Sequence, residues 1–174
     1  MNADLDALHP YPFEKLAALK AELTPPADLA HIPLTIGEPQ HAPFPAALEA
    51  LVAHQLEMAR YPATNGLPAL RQTIANWASQ RFQLRELDSE RHVVPVNGTR
   101  EAIFAFVQAA LDRTRPAKVA VPNPFYQIYE GATLLAGGEP LYLDCTAENN
   151  FRPDVNAVPA ATWRDVQIVF ICSP

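Results

Sequence analysis

The amino-acid sequence predicts an α/β fold: part of a mainly parallel β-sheet with helices on both faces, together with an N-terminal arm. Two features of the second half of the chain support this prediction. From residue 92 onwards, short apolar runs alternate with amphipathic stretches, which is the order expected of βαβ units. The run at 166–171, VQIVFI, is also mostly apolar, as parallel strands buried on both faces tend to be.

The first 45 residues differ from the rest of the chain in their proline content. The 174-residue chain contains 18 prolines, about twice the usual share. Many of them lie before residue 46, on both sides of one short helix predicted at 13–23. Because proline marks turns and connections, we interpret residues 1–45 as an N-terminal arm with a small-domain segment. Residues 46–174 are then the first part of a larger domain.

Two amphipathic helices are predicted to follow the arm. The first covers 46–60 and carries its apolar side chains on one face, at Leu48, Leu51, Val52 and Leu56. Asn65-Gly66 then predicts a tight turn. The second helix begins at Pro68, since proline is tolerated in a first helical turn, and its apolar stripe consists of Leu67, Leu70, Ile74, Trp77 and Ala78.

Four strands and two helices are predicted beyond residue 92. The strands are expected at 93–96, 118–121, 140–143 and 166–171. A helix after Gly98 is expected to bury an apolar stripe made of Ile103, Phe104, Val107, Ala110 and Leu111. A second helix, over 125–136, is predicted to end at Gly137-Gly138, where glycine suits a left-handed cap.

The composition narrows the classes of function. A formal net charge of −6, a pI near 5.3 and scattered basic residues argue against nucleic-acid binding. The longest strongly apolar run is too short to span a bilayer and no signal peptide is recognisable, so we expect no membrane association and a cytoplasmic location. The histidines show no metal-ligand spacing and the two cysteines are interpreted as reduced thiols, so no metal site is expected.

The stretch VPVNGTREAIFAF, at 94–106, places glycine, threonine and arginine where an extended run is predicted to become a helix. Unpaired N–H groups and the positive end of the helix dipole attract anions at such a point. Gly98 would let an anion approach the backbone closely, and the Thr99 hydroxyl adds a donor. These residues suit a phosphate, but they also suit an ordinary helix start in which Asn97 or Thr99 is only a cap.

Tyr126 follows the strand predicted at 118–121. It lies about a quarter turn away from the apolar stripe of the helix predicted at 125–136. In an open parallel sheet, ligands bind beyond the carboxyl ends of the strands. Tyr126 could therefore stack on a planar ligand, or it could be a partly exposed surface tyrosine.

Six short motifs run along the chain in a recognisable order and spacing. They are IGEP at 36–39, RY at 60–61 with GLPALR at 66–71, NGTREA at 97–102, NPFY at 123–126, FRPD at 151–154 and CSP at 172–174. Together they resemble the N-terminal half of fold-type I aminotransferases, which use pyridoxal 5′-phosphate. Within that family, segments 11–16, 96–102 and 122–132 are most similar to the succinyldiaminopimelate transaminases of bacterial lysine biosynthesis.

The resemblance implies a role for each matching residue. Gly98, Thr99 and Arg100 match the turn that holds the cofactor phosphate, and Tyr126 matches the aromatic residue that stacks on the pyridine ring. Tyr61 matches a tyrosine that reaches the phosphate of the other subunit's cofactor, which implies a homodimer. Gly37 matches a glycine beside the substrate carboxylate. Without the resemblance, Gly37 would be a plain turn glycine and Tyr61 a packed aromatic before a proline.

The resemblance also implies that catalytic residues are missing from these 174 residues. The Schiff-base lysine, the aspartate paired with the pyridine nitrogen and the arginine that binds the substrate carboxylate follow the Ser-Pro segment in the family, so they are expected beyond Pro174. The lysines present, Lys15, Lys20 and Lys118, match none of these positions. By itself the chain is therefore expected not to turn over substrate.

Several functions remain open at this point. The first is amino transfer between glutamate and N-succinyl-2-amino-6-oxopimelate in lysine biosynthesis, with small amino and keto acids as the partners. Others are an aspartate or other acidic amino-acid aminotransferase, a ligand-sensing regulator that keeps the fold without catalysis, and a plain α/β binding module with no cofactor. The regulator is disfavoured because the arm begins almost immediately after Met1, which leaves no room for a DNA-binding domain.

Overall fold

The computed structural model describes residues 1–172 of the chain, so Ser173 and Pro174, the end of the CSP motif, lie outside the described residues. Within this range the elements are α1 (Pro12–Lys20), α2 (Pro45–Ala53), α3 (Pro68–Phe82), α4 (Ser89–His92), α5 (Thr99–Ala110), β1 (Lys118–Asn123), α6 (Ile128–Leu135), β2 (Glu139–Asp144), α7 (Ala160–Trp163) and β3 (Val166–Val169). Short 3₁₀ helices cover Ala3–Ala7, Gln55–Ala59 and Ala147–Asn149.

The three strands form one parallel sheet in the order β2-β1-β3. The register of β1 with β2 runs from Lys118 opposite Glu139 to Asn123 opposite Asp144, and Lys118 lies opposite Val166 of β3. β1 is paired on both sides, which explains why its continuous apolar run is buried. The predicted α/β class, with a parallel sheet and helices, is confirmed.

The core lies between the sheet and helices α5 and α6. It consists of Val107 and Leu111 at the end of α5, Val119 and Val121 of β1, and three residues of the α6 region, Tyr129, Ala132 and Ala136. The predicted apolar stripes of both helices therefore face the sheet. Ala110 is an exception, because it is exposed and the core begins again one residue later at Leu111.

Two predicted turns are confirmed by left-handed glycines. Gly66 has a φ of +75° and its N–H donates to the Ala63 carbonyl at 2.9 Å. Gly137 ends the helix predicted at 125–136 with a φ of +72°, and the N–H of Gly138 reaches back to the Thr133 carbonyl at 2.9 Å. Glycine is needed at both positions because a side chain is strained at positive φ.

The strand predicted at 93–96 is wrong. α4 ends at His92, the following four residues are irregular, and Val94 and Val96 are exposed. A valine-rich run has β propensity, but it becomes a strand only when its backbone groups find a partner, and none of the described residues pairs with this run.

Two predicted helices have different bounds from those expected. The helix expected over 46–60 is divided, because α2 ends at Ala53 and His54 (φ −110°, ψ 11°) leads into a 3₁₀ helix. The helix expected from residue 125 begins instead at Ile128, since the residues after Asn123 first form a loop that contains Pro124.

The chain forms two compact units. One combines Met1–Leu16 with the residues from Val96 onwards, and it contains the sheet, α5 and α6. The other is Ala17–Pro95, in which α3 and α4 pack together and the buried Arg71 donates to Glu90 at 2.9 Å. The predicted division into an arm over 1–45 and part of a large domain over 46–174 stays a prediction. No helix in residues 1–172 is long and apolar enough to cross a membrane.

Candidate functional site

The N-terminus of α5 presents an uncapped helix end. Gly98 is the N-cap residue, with an extended backbone (φ −174°, ψ 139°), and no side chain caps this end. The Ala102 N–H closes the first turn on the Gly98 carbonyl at 3.1 Å, so the three preceding N–H groups point out of the helix end. Neither Asn97 nor Thr99 acts as a cap here. Such a helix end, together with its dipole, suits an anion.

The surroundings of Gly98 are compatible with a phosphate. Thr99 and Arg100 are exposed, so their donors can reach a ligand. A side chain added at Gly98 would first meet the carboxylate of Glu101, which is the end of a flexible, exposed side chain. The turn can therefore accept a phosphate once that carboxylate turns away, and its backbone, hydroxyl and guanidinium donors match the phosphate oxygens.

Tyr126 lies at one end of a column of aromatic rings. It meets Tyr129 edge to face, with ring centroids 5.8 Å apart, and Tyr129 in turn stacks on Phe170 with centroids 4.1 Å apart. Burial raises the pKa of Tyr129, and the nearby Cys172 and Tyr126 act in the same direction. Tyr126 itself is 45% exposed, so part of its ring surface is open to a planar ligand.

The first turn of α5 and the residue before α6 share one cavity, which Gly98, Thr99 and Tyr126 themselves do not line. Arg100 from the first turn of α5 and Gln127, the residue after Tyr126, line the same cavity of about 190 Å³. The loop starts at the carboxyl end of β1, where the Asn123 side chain donates to Asp144 of β2 at 2.8 Å. The loop that carries Tyr126 therefore lies at the sheet edge at which parallel sheets bind their ligands.

Gly37 and Tyr61 belong to the other compact unit and are described separately. Tyr61 is 98% exposed and lines an open groove of about 660 Å³, so it is not a packed aromatic. Gly37 has no positive φ, and a Cβ added there would meet no described atom within 4 Å. Nothing in residues 1–172 therefore requires glycine at this position. The roles of Gly37 and Tyr61 stay predictions.

Glu130 is a buried charge that the sequence analysis missed. It lies on α6 with its side chain only 10% exposed, and it contacts His9 and the hydroxyl of Tyr142. It lies off the apolar stripe of α6. His9 and Tyr142 of β2 cover it, so its burial cannot be predicted from the periodicity of the helix. Within residues 1–172, no cluster of three or more His, Cys, Asp or Glu could hold a metal ion.

Comparison with known proteins gives consistent matches. A profile of the family described as aminotransferase class I and II matches residues 30–174. The LL-diaminopimelate aminotransferase of Desulforudis audaxviator is 36% identical over 171 residues, which cover 96% of this chain and 42% of the relative. That of Moorella thermoacetica is 38% identical over 146 residues, covering 82% of this chain and 36% of the relative.

Solved structures give the same picture. An aminotransferase from Neisseria meningitidis Z2491 superposes with a TM-score of 0.90 at 43% identity, covering 100% of this chain and 44% of that one. The aminotransferase AspB from Helicobacter pylori gives 0.83 at 33% identity, covering 93% of this chain and 41% of that one. The chain thus spans less than half of the length of the relatives it matches.

Proposed function

The chain belongs to the class I and II aminotransferases, whose members depend on pyridoxal phosphate, and from this premise we propose that it forms the phosphate-binding part of such an enzyme. The observation that carries the proposal is the uncapped start of α5 at Gly98, with exposed Thr99 and Arg100 in its first turn. When bound, the cofactor supplies the electron sink that amino-group exchange requires.

Each candidate residue has one task in this proposal. The N–H groups of the first turn of α5, the Thr99 hydroxyl and Arg100 hold the phosphate, while the Tyr126 ring covers the pyridine ring. The exposed Tyr61 reaches the phosphate bound to a second subunit of a cytoplasmic homodimer. Gly37 leaves room for the substrate carboxylate. The lysine that binds the cofactor covalently is proposed to lie outside these 174 residues, so the chain alone should not turn over substrate.

For the substrate, we infer a diaminopimelate-type amino acid of lysine biosynthesis. The matches to LL-diaminopimelate aminotransferases support this class, and the motif similarity favours the N-succinyl form with glutamate as the amino donor. The match to AspB supports aspartate as a second candidate. Assays of the complete enzyme with N-succinyl-2-amino-6-oxopimelate, LL-diaminopimelate and aspartate, each at equal concentration, separate the three by kcat/KM.

Gly98→Val tests the phosphate site directly. The added side chain would crowd the space in front of the N–H groups that receive the phosphate, so the affinity of the complete enzyme for pyridoxal phosphate should fall about tenfold or more, a loss of roughly 1.4 kcal/mol per tenfold. Absorbance titration with the cofactor measures this affinity. Gly131→Ala is the control, because a Cβ there meets nothing within 4 Å. An unchanged affinity for Gly98→Val would move the phosphate elsewhere.

A further inference from the structure

The first eleven residues are attached to the sheet-containing unit at two separate points. Their 3₁₀ helix, Ala3–Ala7, packs against α6. Asp4 pairs with Arg113 at 3.4 Å, and His9 Nδ1 lies 3.1 Å from Glu130 Oε2. We call residues 1–11 the N-terminal segment. We call the Asp4–Arg113 and His9–Glu130 contacts its two anchors. Only the second involves a buried side chain, that of Glu130.

Glu130 connects the N-terminal segment to the sheet. Its side chain is 10% exposed, whereas His9 is 62% exposed. The second carboxylate oxygen accepts a hydrogen bond from the Tyr142 hydroxyl of β2. Burying a carboxylate costs free energy unless both of its oxygens have hydrogen-bond partners. For Glu130 these partners are His9 and Tyr142, so one side chain holds both. Arg100 of α5 lines the adjacent cavity and adds a nearby positive charge.

The contact continues from Tyr142 to the loop that carries Tyr126. The Tyr142 ring stacks on Phe125, with centroids 5.5 Å apart and an interplanar angle of 22°. Phe125 directly precedes Tyr126 in the chain. Partial burial, together with the hydrogen bond to Glu130, raises the pKa of Tyr142 to about 12, and the protonated hydroxyl donates to Glu130. A shift of Tyr142 would therefore be transmitted to Phe125 and to the backbone of Tyr126.

We propose that Glu130 and Tyr142 are positioning residues for Tyr126, and that His9 links this arrangement to docking of the N-terminal segment. Glu130 fixes the Tyr142 hydroxyl, Tyr142 fixes Phe125, and Phe125 sets where the Tyr126 ring lies. The inference rests on the proposed function in one respect, because it takes Tyr126 as the residue that covers the cofactor ring. The coupling between the N-terminal segment and Tyr126 does not depend on that assignment.

The chain offers a matched control for a merely structural role. Asp4→Asn removes the other anchor of the same segment without touching Glu130, Tyr142 or Phe125. His9→Ala removes the anchor to Glu130, and His9→Gln keeps a side chain that can donate a hydrogen bond to the carboxylate. Because His9 is mostly exposed, its variants leave the core intact even if a change at the buried Glu130 unfolds the protein.

The experiment follows the Tyr126 ring by ¹⁹F NMR in the complete enzyme labelled with 3-fluorotyrosine. The Tyr126 resonance is assigned by its loss in Tyr126→Phe. We expect Tyr142→Phe, Glu130→Gln and His9→Ala to shift this resonance and to weaken pyridoxal phosphate binding by the complete enzyme about three- to tenfold. His9→Gln should restore most of the wild-type shift, and Asp4→Asn should leave both readouts unchanged.

The outcomes separate the two proposals. An unchanged Tyr126 resonance in His9→Ala and in a folded Tyr142→Phe or Glu130→Gln variant would overturn the coupling. A shift of equal size in Asp4→Asn would also overturn it, since it would show general loosening of the segment. If the coupling is observed but the wild-type enzyme binds no pyridoxal phosphate, the proposed function fails, and the cofactor role of Tyr126 fails with it, while the coupling itself is supported.

Discussion

Glu101 is the residue that most affects how an anion could enter the start of α5. It lies in the first turn of the helix, and its carboxylate is the group nearest to the space that a side chain at Gly98 would fill. A carboxylate there is favoured by the helix dipole, but its negative charge would repel a phosphate bound at the same helix end. The net charge of the turn is therefore set by Arg100 and Glu101 together.

Glu101→Gln should strengthen binding of pyridoxal phosphate to the complete enzyme by about two- to fivefold. Two negative charges a few ångströms apart in a solvent-exposed site repel each other by roughly 1 kcal/mol, and the substitution removes a repulsion of this order. Cofactor titration by absorbance measures the change. Glu139→Gln alters the net charge equally but lies at the amino ends of the strands, opposite Lys118, so it should have no effect. Weaker binding in Glu101→Gln would show that this carboxylate does not repel the phosphate.

Tyr142 makes the stability of the chain depend on alkaline pH. Its pKa is about 12 in the folded protein, because of burial as the larger cause and the hydrogen bond to Glu130 as the smaller one. In an unfolded chain the pKa of tyrosine is about 10. Between pH 10 and pH 12 the folded state therefore keeps the hydroxyl proton while the unfolded state loses it. The stabilisation that comes from this proton is fully present below pH 10 and is lost as the pH rises towards 12. Tyr142→Phe should lose less stability between pH 9 and pH 11 than the wild type.

Urea unfolding midpoints of the complete enzyme at the two pH values measure this difference. Tyr61→Phe is the control for the loss of one hydroxyl at an almost fully exposed tyrosine. Equal losses of stability in Tyr142→Phe and the wild type would contradict the raised pKa.

At the scale of elements, glycine stabilises a turn that needs a positive φ but destabilises the interior of a helix. Gly66 lies in the turn before α3 at positive φ, and a Cβ there would come 2.7 Å from the Pro95 side chain. Gly131 lies inside α6, where a Cβ would meet nothing within 4 Å. The same chemical change at these two sites therefore separates backbone strain from helix propensity.

Gly66→Ala should lower the free energy of unfolding by about 1–3 kcal/mol, since alanine is strained at positive φ. Gly131→Ala should raise it by about 0.5–1 kcal/mol, because glycine is unfavourable in a helix interior. Urea titrations of the complete enzyme with each substitution, and of the wild-type enzyme, give both values. A neutral Gly66→Ala would show that the turn relaxes to a negative φ.

At the scale of the whole molecule, large apolar side chains are exposed in both compact units. They include Leu34, Leu56 and Tyr61 in one unit and Ile171 in the other, all at least 85% exposed. α1 and α2 contribute no buried residue to the described part of the chain. Apolar surface of this extent marks sites of association with other protein surfaces, which agrees with the proposal of a homodimeric complete enzyme.

The purified 174-residue chain should therefore associate or pack loosely. We expect sedimentation velocity to show species larger than a monomer, and a hydrophobic dye to bind strongly at neutral pH. Substituting Leu56 and Leu34 with serine should reduce both signals, because it removes exposed apolar surface without touching the core. A monodisperse monomer with sharp, cooperative thermal unfolding would contradict this expectation.

The amino-acid sequence by itself determined the local elements and their order. The apolar stripes of α5 and α6, the runs of β1, β2 and β3, and the glycines at the two turns depend on neighbours only a few residues away, so their patterns are readable along the chain. The stripe predicted for α3 is wrong, because Leu67, Leu70 and Trp77 are exposed and the helix buries Arg71 and Ala75 instead. The motif order was sufficient to indicate the aminotransferase family. Local chemistry also indicated the helix start at Gly98, since its features lie within three residues of one another.

Only the tertiary structure decided which segments find partners. The run at 93–96 has the composition of a strand, yet a strand requires another backbone beside it, and no described residue provides one. Glu130 looks like a surface residue of α6, yet His9, 121 positions earlier, and Tyr142 of β2 enclose it. Pairing and burial depend on contacts between segments far apart in the chain, and helical or strand periodicity carries no information about those contacts.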